Sequence, residues 1–317
     1  MNLGKPNLVA FAESLERLAE NDRDILAVTS DSRGSGKLVN FGKTFPEQIV
    51  EVGIAEQNLV GMAAGLASTG KKVFAVSPSC FLSARSLEQI KNDVCYSDNP
   101  VNLIGISAGV SYGALGSTHH SIHDIAVLRA INNINVVIPA DNFETQKAIA
   151  LAAASDEPFF IKFGKRPMYD LHHSDQKFEL GKGITLKEGT DLAFIATGET
   201  VYQAYQAAEN LEKEGINAKV ISMHSIKPFD KELLLETAKE CGGIVTVEEH
   251  SVNGGMGELC ASILLQEGVH VPFKIVGIPD EYTVTGSQMD IYKHYGLTDE
   301  GLYNTAMNLI KNEPKLS

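Results

Sequence analysis

The sequence has no tryptophan, few cysteines and fewer positive than negative charges. Its four cysteines lie far apart and none forms a CxxC pair, so the sequence predicts neither a disulfide framework nor a cysteine-based zinc site. Reduced thiols of this kind are typical of a cytoplasmic protein, which is the location we expect. The 27 Lys and Arg against 40 Asp and Glu give a net charge of −13, which argues against nucleic acid or an anionic membrane as a partner.

Long hydrophobic runs and common nucleotide-binding motifs are also missing. No apolar run reaches the roughly 18 residues that a membrane-spanning helix needs. The N-terminal segment lacks the basic region, apolar core and cleavage site of a signal peptide. No GxGxxG follows the first predicted strand and no GxxxxGK(S/T) occurs, so neither a dinucleotide fingerprint nor a Walker phosphate loop is predicted.

What the chain does contain is a regular alternation of short apolar segments with helical patterns. At 317 residues it exceeds the size that one hydrophobic core usually reaches, so we expect two domains. The alternation predicts, in each domain, a mostly parallel sheet with helices on both faces. We place the first domain at residues 1–170, a polar linker without helical periodicity at 171–183 and the second domain at 184–317.

One carboxylate occurs at the start of a segment that is otherwise built to be buried. The stretch IVEVGIAEQNLVGMAAGLAS, residues 49–68, predicts a short strand, a turn at Gly53 and a helix beginning near Glu56. The apolar face predicted for this segment consists of Ile54, Leu59, Met62, Ala63 and Leu66. Glu56 has two interpretations: a helix N-terminal acid stabilised by the macrodipole, or a buried carboxyl that keeps its proton and hydrogen-bonds a ligand.

A histidine-rich loop, YGALGSTHHSIHDIA at residues 112–126, follows another predicted strand. The spacing of His119 and His123 could place two imidazoles on one helical face, as in a metal pair. No HExxH motif and no third ligand accompany them, so we predict no metal site. We favour the interpretation that one histidine of the loop faces a ligand and acts as an acid or base. The alternative is that one of the three, His119, His120 or His123, only packs against the fold or caps a helix.

Several motifs, taken in order along the chain, resemble those of one enzyme family. VGIAEQN (52–58) resembles the GIxE segment of transketolases and deoxyxylulose-phosphate synthases, and GSTHHSIHDIAVLRAI (116–131) resembles their GPTHQ…ED…LR loop. EEHSVNGGMG (248–257), a glycine cluster that alone indicates a tight turn or weakly an anion site, resembles the opening of their C-terminal domain. The likeness covers essentially the whole chain and corresponds to the pyrimidine-binding and C-terminal domains of a transketolase.

The sequence lacks the GDG…N motif with which this family binds the cofactor's diphosphate and metal ion. The chain therefore resembles the C-terminal subunit of a split transketolase. The resemblance implies thiamine diphosphate as the cofactor, with Mg²⁺ (or Ca²⁺) held mainly by an N-terminal partner subunit. It also implies an α2β2 heterotetramer that acts on sugar phosphates, as an enzyme of the pentose phosphate pathway would.

The resemblance implies a role in cofactor activation for Glu56, which matches the glutamate that hydrogen-bonds N1′ of the aminopyrimidine. Phe81 lies where the family places an aromatic side chain against the pyrimidine ring. His119 matches a histidine expected to touch the hydroxyls or the carbonyl oxygen of the sugar.

Further residues are implied in binding the substrate. Asp31 matches an acid near the substrate entrance, and Ser35 lies close to a phosphate-contacting serine. Lys165 or Arg166 could bind the sugar phosphate, because a cation at the site entrance suits a phosphate group. The family often has an acid four residues before the histidine, but this position is Leu115 here, so sulfosugars and branched sugars stay open as substrates.

The function implied first is the transfer of a two-carbon ketol unit from a ketose phosphate to an aldose phosphate. The β subunit of a 2-oxo-acid dehydrogenase and a split deoxyxylulose-phosphate synthase are the enzymatic alternatives. A chain that only binds and regulates its partner is the non-enzymatic alternative.

Overall fold

The computed structural model describes residues 1–311. It contains two α/β domains with mostly parallel sheets, which confirms the predicted fold class. The final residues of the predicted second domain, 312–317, lie outside the described part of the chain. No helix within residues 1–311 combines the length and the apolar character needed to cross a bilayer.

The first domain alternates strands with helices along the chain. Its strands are β1 (Leu3–Pro6), β2 (Ile25–Thr29), β3 (Ile49–Glu51), β4 (Lys72–Pro78), β5 (Val101–Ile106), β6 (Asn135–Val137), β7 (Phe159–Lys162) and β8 (Pro167–Tyr169). Its α-helices are α1 (Asn7–Ala19), α2 (Val39–Thr44), α3 (Glu56–Ala67), α4 (Ser79–Arg85), α5 (Leu87–Gln89), α6 (Asp124–Arg129) and α7 (Asn142–Ala154). Short 3₁₀ segments cover Pro46–Gln48 and Gly113–Thr118, and a π-helical segment covers Ile90–Tyr96.

The second domain repeats the same kind of alternation. Its strands are β9 (Ile184–Lys187), β10 (Leu192–Ala196), β11 (Ala218–Ser222), β12 (Ser225–Lys227), β13 (Ile244–Ser251) and β14 (Phe273–Ile278). Its helices are α8 (Thr200–Glu212), α9 (Lys231–Glu240), α10 (Met256–Gln266), α11 (Gln288–His294) and α12 (Asp299–Lys311). Five of these strands form a sheet in the order β14-β13-β10-β11-β9, in which only β9 runs antiparallel to its neighbour.

The sheet of the first domain includes one strand from the second domain. Its order is β12-β6-β7-β5-β4-β2-β3, and all neighbours are parallel except β12, which pairs antiparallel with β6. The two domains therefore share backbone hydrogen bonds as well as side-chain contacts. Because β2 to β7 run in one direction, their carboxyl ends meet at one edge, where ligands of such sheets usually bind.

Side-chain capping explains where several helices begin. The carboxylate of Asp141 accepts a hydrogen bond from Glu144 N at 3.0 Å at the start of α7. Ser287 and Asp290 form a capping box at the start of α11. Such caps satisfy amide groups that a helix leaves without partners, and each typically contributes about 1 kcal/mol.

The helical stretch after β4 is interrupted at Ser86, where α4 ends, and the π-helical segment follows α5. One detail of the predicted helices was wrong, because the apolar face predicted for residues 54–66 includes Ile54 and Met62, both of which are exposed. Since α3 packs against β4 through the i, i+4 row of Leu59, Ala63 and Ala67, these two side chains point away from the sheet.

Candidate active site

Glu56 occupies the first position of α3, directly after the turn at Gly53, whose φ is +72°. Its side chain is only 4% exposed, and Oε2 accepts a hydrogen bond from Arg85 Nη1 at 3.0 Å. Within residues 1–311, Oε1 accepts no hydrogen bond. Glu56 and Arg85 line an open groove of about 470 Å³ together with Ile54, Ala55, Gln57 and Asn58. One oxygen of a buried carboxylate is therefore available to a ligand in this groove.

Helix α4 brings an aromatic ring to the same place. Phe81 and Arg85 lie four residues apart on this helix, so both side chains project from one face. The Arg85 guanidinium carbon lies 4.4 Å from the centre of the Phe81 ring, a cation–π geometry. The predicted pair of Glu56 and Phe81 is thus joined through Arg85, a residue that the sequence reasoning missed.

His119 lies on the other side of Phe81, in a cluster of rings. Its imidazole is 5.3 Å from the centre of the Phe81 ring and 5.4 Å from that of Tyr112, edge to face in both cases. The Lys165 ammonium lies 3.7 Å from the centre of the Tyr112 ring. Partial desolvation lowers the pKa of the Lys165 ammonium, although the residue as a whole is exposed, and burial raises the pKa of Tyr112. The structure therefore brings together three predicted residues, Phe81, His119 and Lys165.

The three histidines of the loop have separate surroundings. His120 is buried and contacts Thr283 of the second domain, whereas His123 Nε2 lies 3.3 Å from Ser83 Oγ. His119 contacts the ring cluster, so the two imidazoles of His119 and His123 have different neighbours. In the described part of the chain, no three His, Cys, Asp or Glu side chains converge as metal ligands would.

The remaining predicted residues lie at different distances from this cluster. Asp31 and Ser35 are exposed in the loop after β2, where the Asp31 amide donates to Glu51 and Ser35 Oγ to the Ser32 carbonyl. Arg166 does not accompany Lys165, because its guanidinium contacts Met289 Sδ of the second domain. Of these two cations, Lys165 is the one that contacts the ring cluster, through Tyr112.

The glycine cluster at residues 248–257 is closed to an external anion. Glu248 accepts hydrogen bonds from Met256 N at 2.7 Å and Gly257 N at 2.8 Å, so a carboxylate of the chain already caps α10. A Cβ at Gly255 would lie 2.2 Å from Glu248 Oε2, which explains why glycine stands there. Burial raises the pKa of Glu248 to about 7. The interpretation as a tight turn is the one that the geometry supports.

Arg85 and Tyr112 carried weak signals in the sequence. Arg85 follows Phe81 by one helical turn, a spacing that could have suggested a shared face. Tyr112 precedes His119 by seven residues across a glycine-containing loop, and no periodicity connects positions in such a loop.

Family models match both halves of the chain. Residues 7–169 match the transketolase pyrimidine binding domain, and residues 181–302 match the transketolase C-terminal domain. The chain is 50% identical to an apulose-4-phosphate transketolase subunit of Phocaeicola vulgatus over 303 residues, which cover 95% of this chain and 96% of that protein. It is 37% identical to a 1-deoxy-D-xylulose-5-phosphate synthase of Heliobacterium modesticaldum, covering 97% of this chain but 48% of that protein.

A solved structure described as a split gene transketolase, inactive beta4 tetramer, is similar over nearly the whole length. It has a TM-score of 0.87 and 36% sequence identity, and the match covers 98% of this chain and all of that one. The order of the two domains along the chain agrees with these matches. The chain belongs to the transketolase family, as the C-terminal subunit of a split transketolase.

Proposed function

We propose that this chain binds the aminopyrimidine end of thiamine diphosphate and the sugar substrate. With an N-terminal partner, it transfers a two-carbon ketol unit from a ketose phosphate to an aldose phosphate. The observation that carries this proposal is Glu56, a buried carboxylate with one oxygen engaged by Arg85 and the other open to the groove.

The residues of the groove suit the pyrimidine end of this cofactor. Glu56 Oε1 would share a proton with N1′ of the pyrimidine, while Arg85 keeps Oε2 in place. Phe81, one face of which is covered by the Arg85 guanidinium, would add apolar ring surface next to the groove for a flat ring. Bound thiamine diphosphate supplies the nucleophilic carbon and the electron sink of ketol transfer.

The ring cluster around His119 suits a sugar phosphate. His119 would hydrogen-bond an oxygen of the sugar, and Tyr112 limits its rotation by contact with its edge. Lys165 would bind the phosphate as a point charge, with Asp31 and Ser35 nearer the entrance. Leu115 is 54% exposed on the same loop and offers no acid to a donor hydroxyl.

The diphosphate and Mg²⁺ (or Ca²⁺) would be held mainly by the N-terminal partner subunit in an α2β2 heterotetramer. The description of the similar solved structure as an inactive tetramer of β chains supports the need for a partner. All four cysteines are free and buried, which supports a cytoplasmic location.

The similarity to the relative from Phocaeicola vulgatus makes apulose 4-phosphate the first donor to test. The similarity to a deoxyxylulose-phosphate synthase supports a second candidate, in which pyruvate is the donor. Ketol transfer is favoured because the relative from Phocaeicola vulgatus matches this chain over its own full length, whereas the synthase is about twice as long.

The test is an assay of the purified chain with and without the N-terminal subunit, in the presence of thiamine diphosphate and Mg²⁺. We expect no turnover of a ketose phosphate and aldose phosphate pair by the chain alone, and turnover once the partner is added. Release of carbon dioxide when pyruvate replaces the ketose phosphate would favour the synthase. Robust turnover by the chain alone would contradict the split-enzyme proposal.

A further inference from the structure

The hydroxyl group of Thr283 joins the loop that carries His119 to the second domain. Thr283, which is 7% exposed, lies in the segment between β14 and α11. Its Oγ1 is 2.5 Å from His120 Nδ1 and 3.0 Å from Ser117 Oγ. Thr283 therefore contacts both the residue that follows His119 and one that lies two positions before it.

The direction of each hydrogen bond in this group can be assigned. His120 Nε2 lies 3.0 Å from the carbonyl oxygen of Gly113, which can only accept, so Nε2 is the donor. Burial lowers the pKa of His120, which favours a neutral ring with Nδ1 as an acceptor. The Thr283 hydroxyl then donates to Nδ1 and accepts from Ser117. A side chain without a hydroxyl would leave the buried Nδ1 without a donor, which is costly.

The backbones of the loop and the second domain also meet closely. Gly113 and Gly116 have φ values of +56° and +70°. A Cβ at Gly113 would lie 2.6 Å from the carbonyl oxygen of Gly286, and one at Gly116 would lie 2.9 Å from Thr285 Cγ2. The amide of His119 donates to the carbonyl of Gly116 at 2.9 Å. The turn that places His119 is therefore packed directly against residues 285–286.

The segment that holds the loop is itself fixed to the second domain. The hydroxyl of Tyr295 in the turn after α11 accepts from Val284 N at 3.2 Å and donates to Glu281 at 3.0 Å. Ser287 then begins α11 with its capping box. Residues on either side of Thr283 are thus tied to one helix, which makes Thr283 a fixed point of attachment.

We infer that Thr283 is a positioning residue for His119, through which the second domain sets the place of the substrate-facing histidine. This inference rests on the proposed role of His119 in binding the sugar. Thr283 touches neither substrate nor cofactor in this scheme. It acts through His120, Ser117 and the backbone turn between them.

The kinetic test uses Thr283→Val, which keeps the size of the side chain and removes its hydroxyl, in the chain reconstituted with its N-terminal subunit. We expect kcat/KM for the sugar phosphate to fall roughly 10-fold to 100-fold, because small displacements of a binding group cost rates of this order. Thr283→Ser should stay within about twofold of the original, since the donor is kept. Thr237→Val is the matched control, because Thr237 is buried in α9 and its hydroxyl has no partner within residues 1–311.

A double-mutant comparison separates positioning from a general loss of structure. In a His119→Ala background, Thr283→Val should cause little further loss of kcat/KM, because the residue that it positions is already gone. An equal loss in both backgrounds would overturn the inference. If His119→Ala is itself without effect, the proposed role of His119 fails and the inference falls with it. If His119→Ala is impaired and Thr283→Val is not, only the inference is overturned.

Amide hydrogen exchange of the chain without its partner gives a readout independent of activity. Thr283→Val should speed exchange at residues 113–120 while leaving α1 and α7 unchanged. Ser117→Ala, which keeps the bond between Thr283 and His120, should give a smaller increase and serves if Thr283→Val does not fold. Unchanged exchange in the loop of both variants would contradict the inference.

Discussion

The groove at Glu56 and the interface between the two domains both contain buried carboxylates, but these carboxylates differ in how fully they are bonded. Asp124 at the interface accepts from Lys162 at 2.7 Å, Ser79 at 2.8 Å and Ser121 at 2.7 Å. Glu56 has a single partner within residues 1–311, and that partner, Arg85, is half exposed. A carboxylate whose oxygens are all engaged holds structure together, whereas one with a free oxygen can serve a ligand.

The interface also contains two carboxyls that share a partner. Glu199 and Glu249 lie in the second domain, and both accept from Gln288 Nε2, at 3.2 Å and 2.9 Å. Glu249 also accepts from Val110 N of the first domain at 2.8 Å. Two neighbouring carboxyls in a buried place favour retention of a proton, because two negative charges would repel each other. Burial raises the pKa of both carboxyls, and the charge of Glu249 raises the pKa of Glu199 further, so the stability of this part of the interface depends on pH.

The largest effect of a single substitution is expected in the groove. Glu56→Gln should slow hydrogen–deuterium exchange at C2 of thiamine diphosphate roughly 10²–10⁴-fold in the reconstituted complex, because the amide cannot share an acidic proton with N1′. The free energy of unfolding should change by no more than about 1 kcal/mol, since the half-exposed Arg85 can turn to solvent. Exchange is measured by NMR and unfolding by denaturant titration.

The matched control for Glu56 is Glu258, another acid in the first turn of a helix, which accepts from Gly254 N. Glu258→Gln should leave the exchange at C2 unchanged. If exchange is also unchanged in a folded Glu56→Gln protein, Glu56 is only a helix-terminal acid.

The next largest effect concerns stability at the interface. Lys162→Met should lower the free energy of unfolding by about 3–5 kcal/mol, because Asp124 would stay buried without its cation. Burial opposes the charge of Asp124, but Lys162 and His250 still lower its pKa to about 2. Denaturant titration at constant pH measures the change. A loss below about 1 kcal/mol would mean that the other donors to Asp124 suffice.

The two regions also differ in how far the sequence predicts them. Glu56 lies where a strand, a turn and a helix follow one another in the chain, so local periodicity places it at the start of a helix, whereas its role was implied only by the resemblance to transketolases. Asp124 and Lys162 are 38 residues apart and belong to different elements, so no local pattern connects them. The hydrogen bonds from Gln288 to Glu199 and Glu249 likewise depend on the packing of separate elements of the second domain.

Some of the remaining assignments follow from the resemblance to the family, and others required the structure. The motif at residues 165–166 contains two cations, and the sequence does not indicate which of them binds phosphate. In the structure they have different contacts, because Lys165 lies over Tyr112 and Arg166 contacts Met289. The role of His120 could not be predicted from the sequence either, because its partner Thr283 is 163 residues away. Local chemistry could be predicted, whereas contacts between distant elements required the fold.

A smaller effect is expected three residues from Lys162. Lys165→Met should raise KM for the sugar phosphate about 10-fold to 100-fold, the range lost with a charge-assisted hydrogen bond to a phosphate. The free energy of unfolding should change by less than about 0.5 kcal/mol, because Lys165 is exposed and makes no ion pair within residues 1–311. Steady-state kinetics and denaturant titration, run beside Lys162→Met, distinguish the two lysines. An unchanged KM would remove Lys165 from the proposed phosphate site.

An effect of a different kind, a change in the pH dependence of stability, is expected at the carboxyl pair. Burial, and next the charge of Glu249, raise the pKa of Glu199 from an ordinary 4.5 to about 8. The folded chain therefore keeps a proton that the unfolded chain loses above 4.5, so this carboxyl makes stability fall as pH rises from about 4.5 to about 8. Glu199→Gln removes this titration, so the stability of the variant should fall less steeply across that range and exceed the stability of the original chain at the upper end.

Urea titrations at several pH values measure the difference. The control is Glu236→Gln, at an exposed position of α9, which is expected to leave the pH dependence of stability as it was. Parallel slopes for the original chain and Glu199→Gln would show that the pair holds no extra proton.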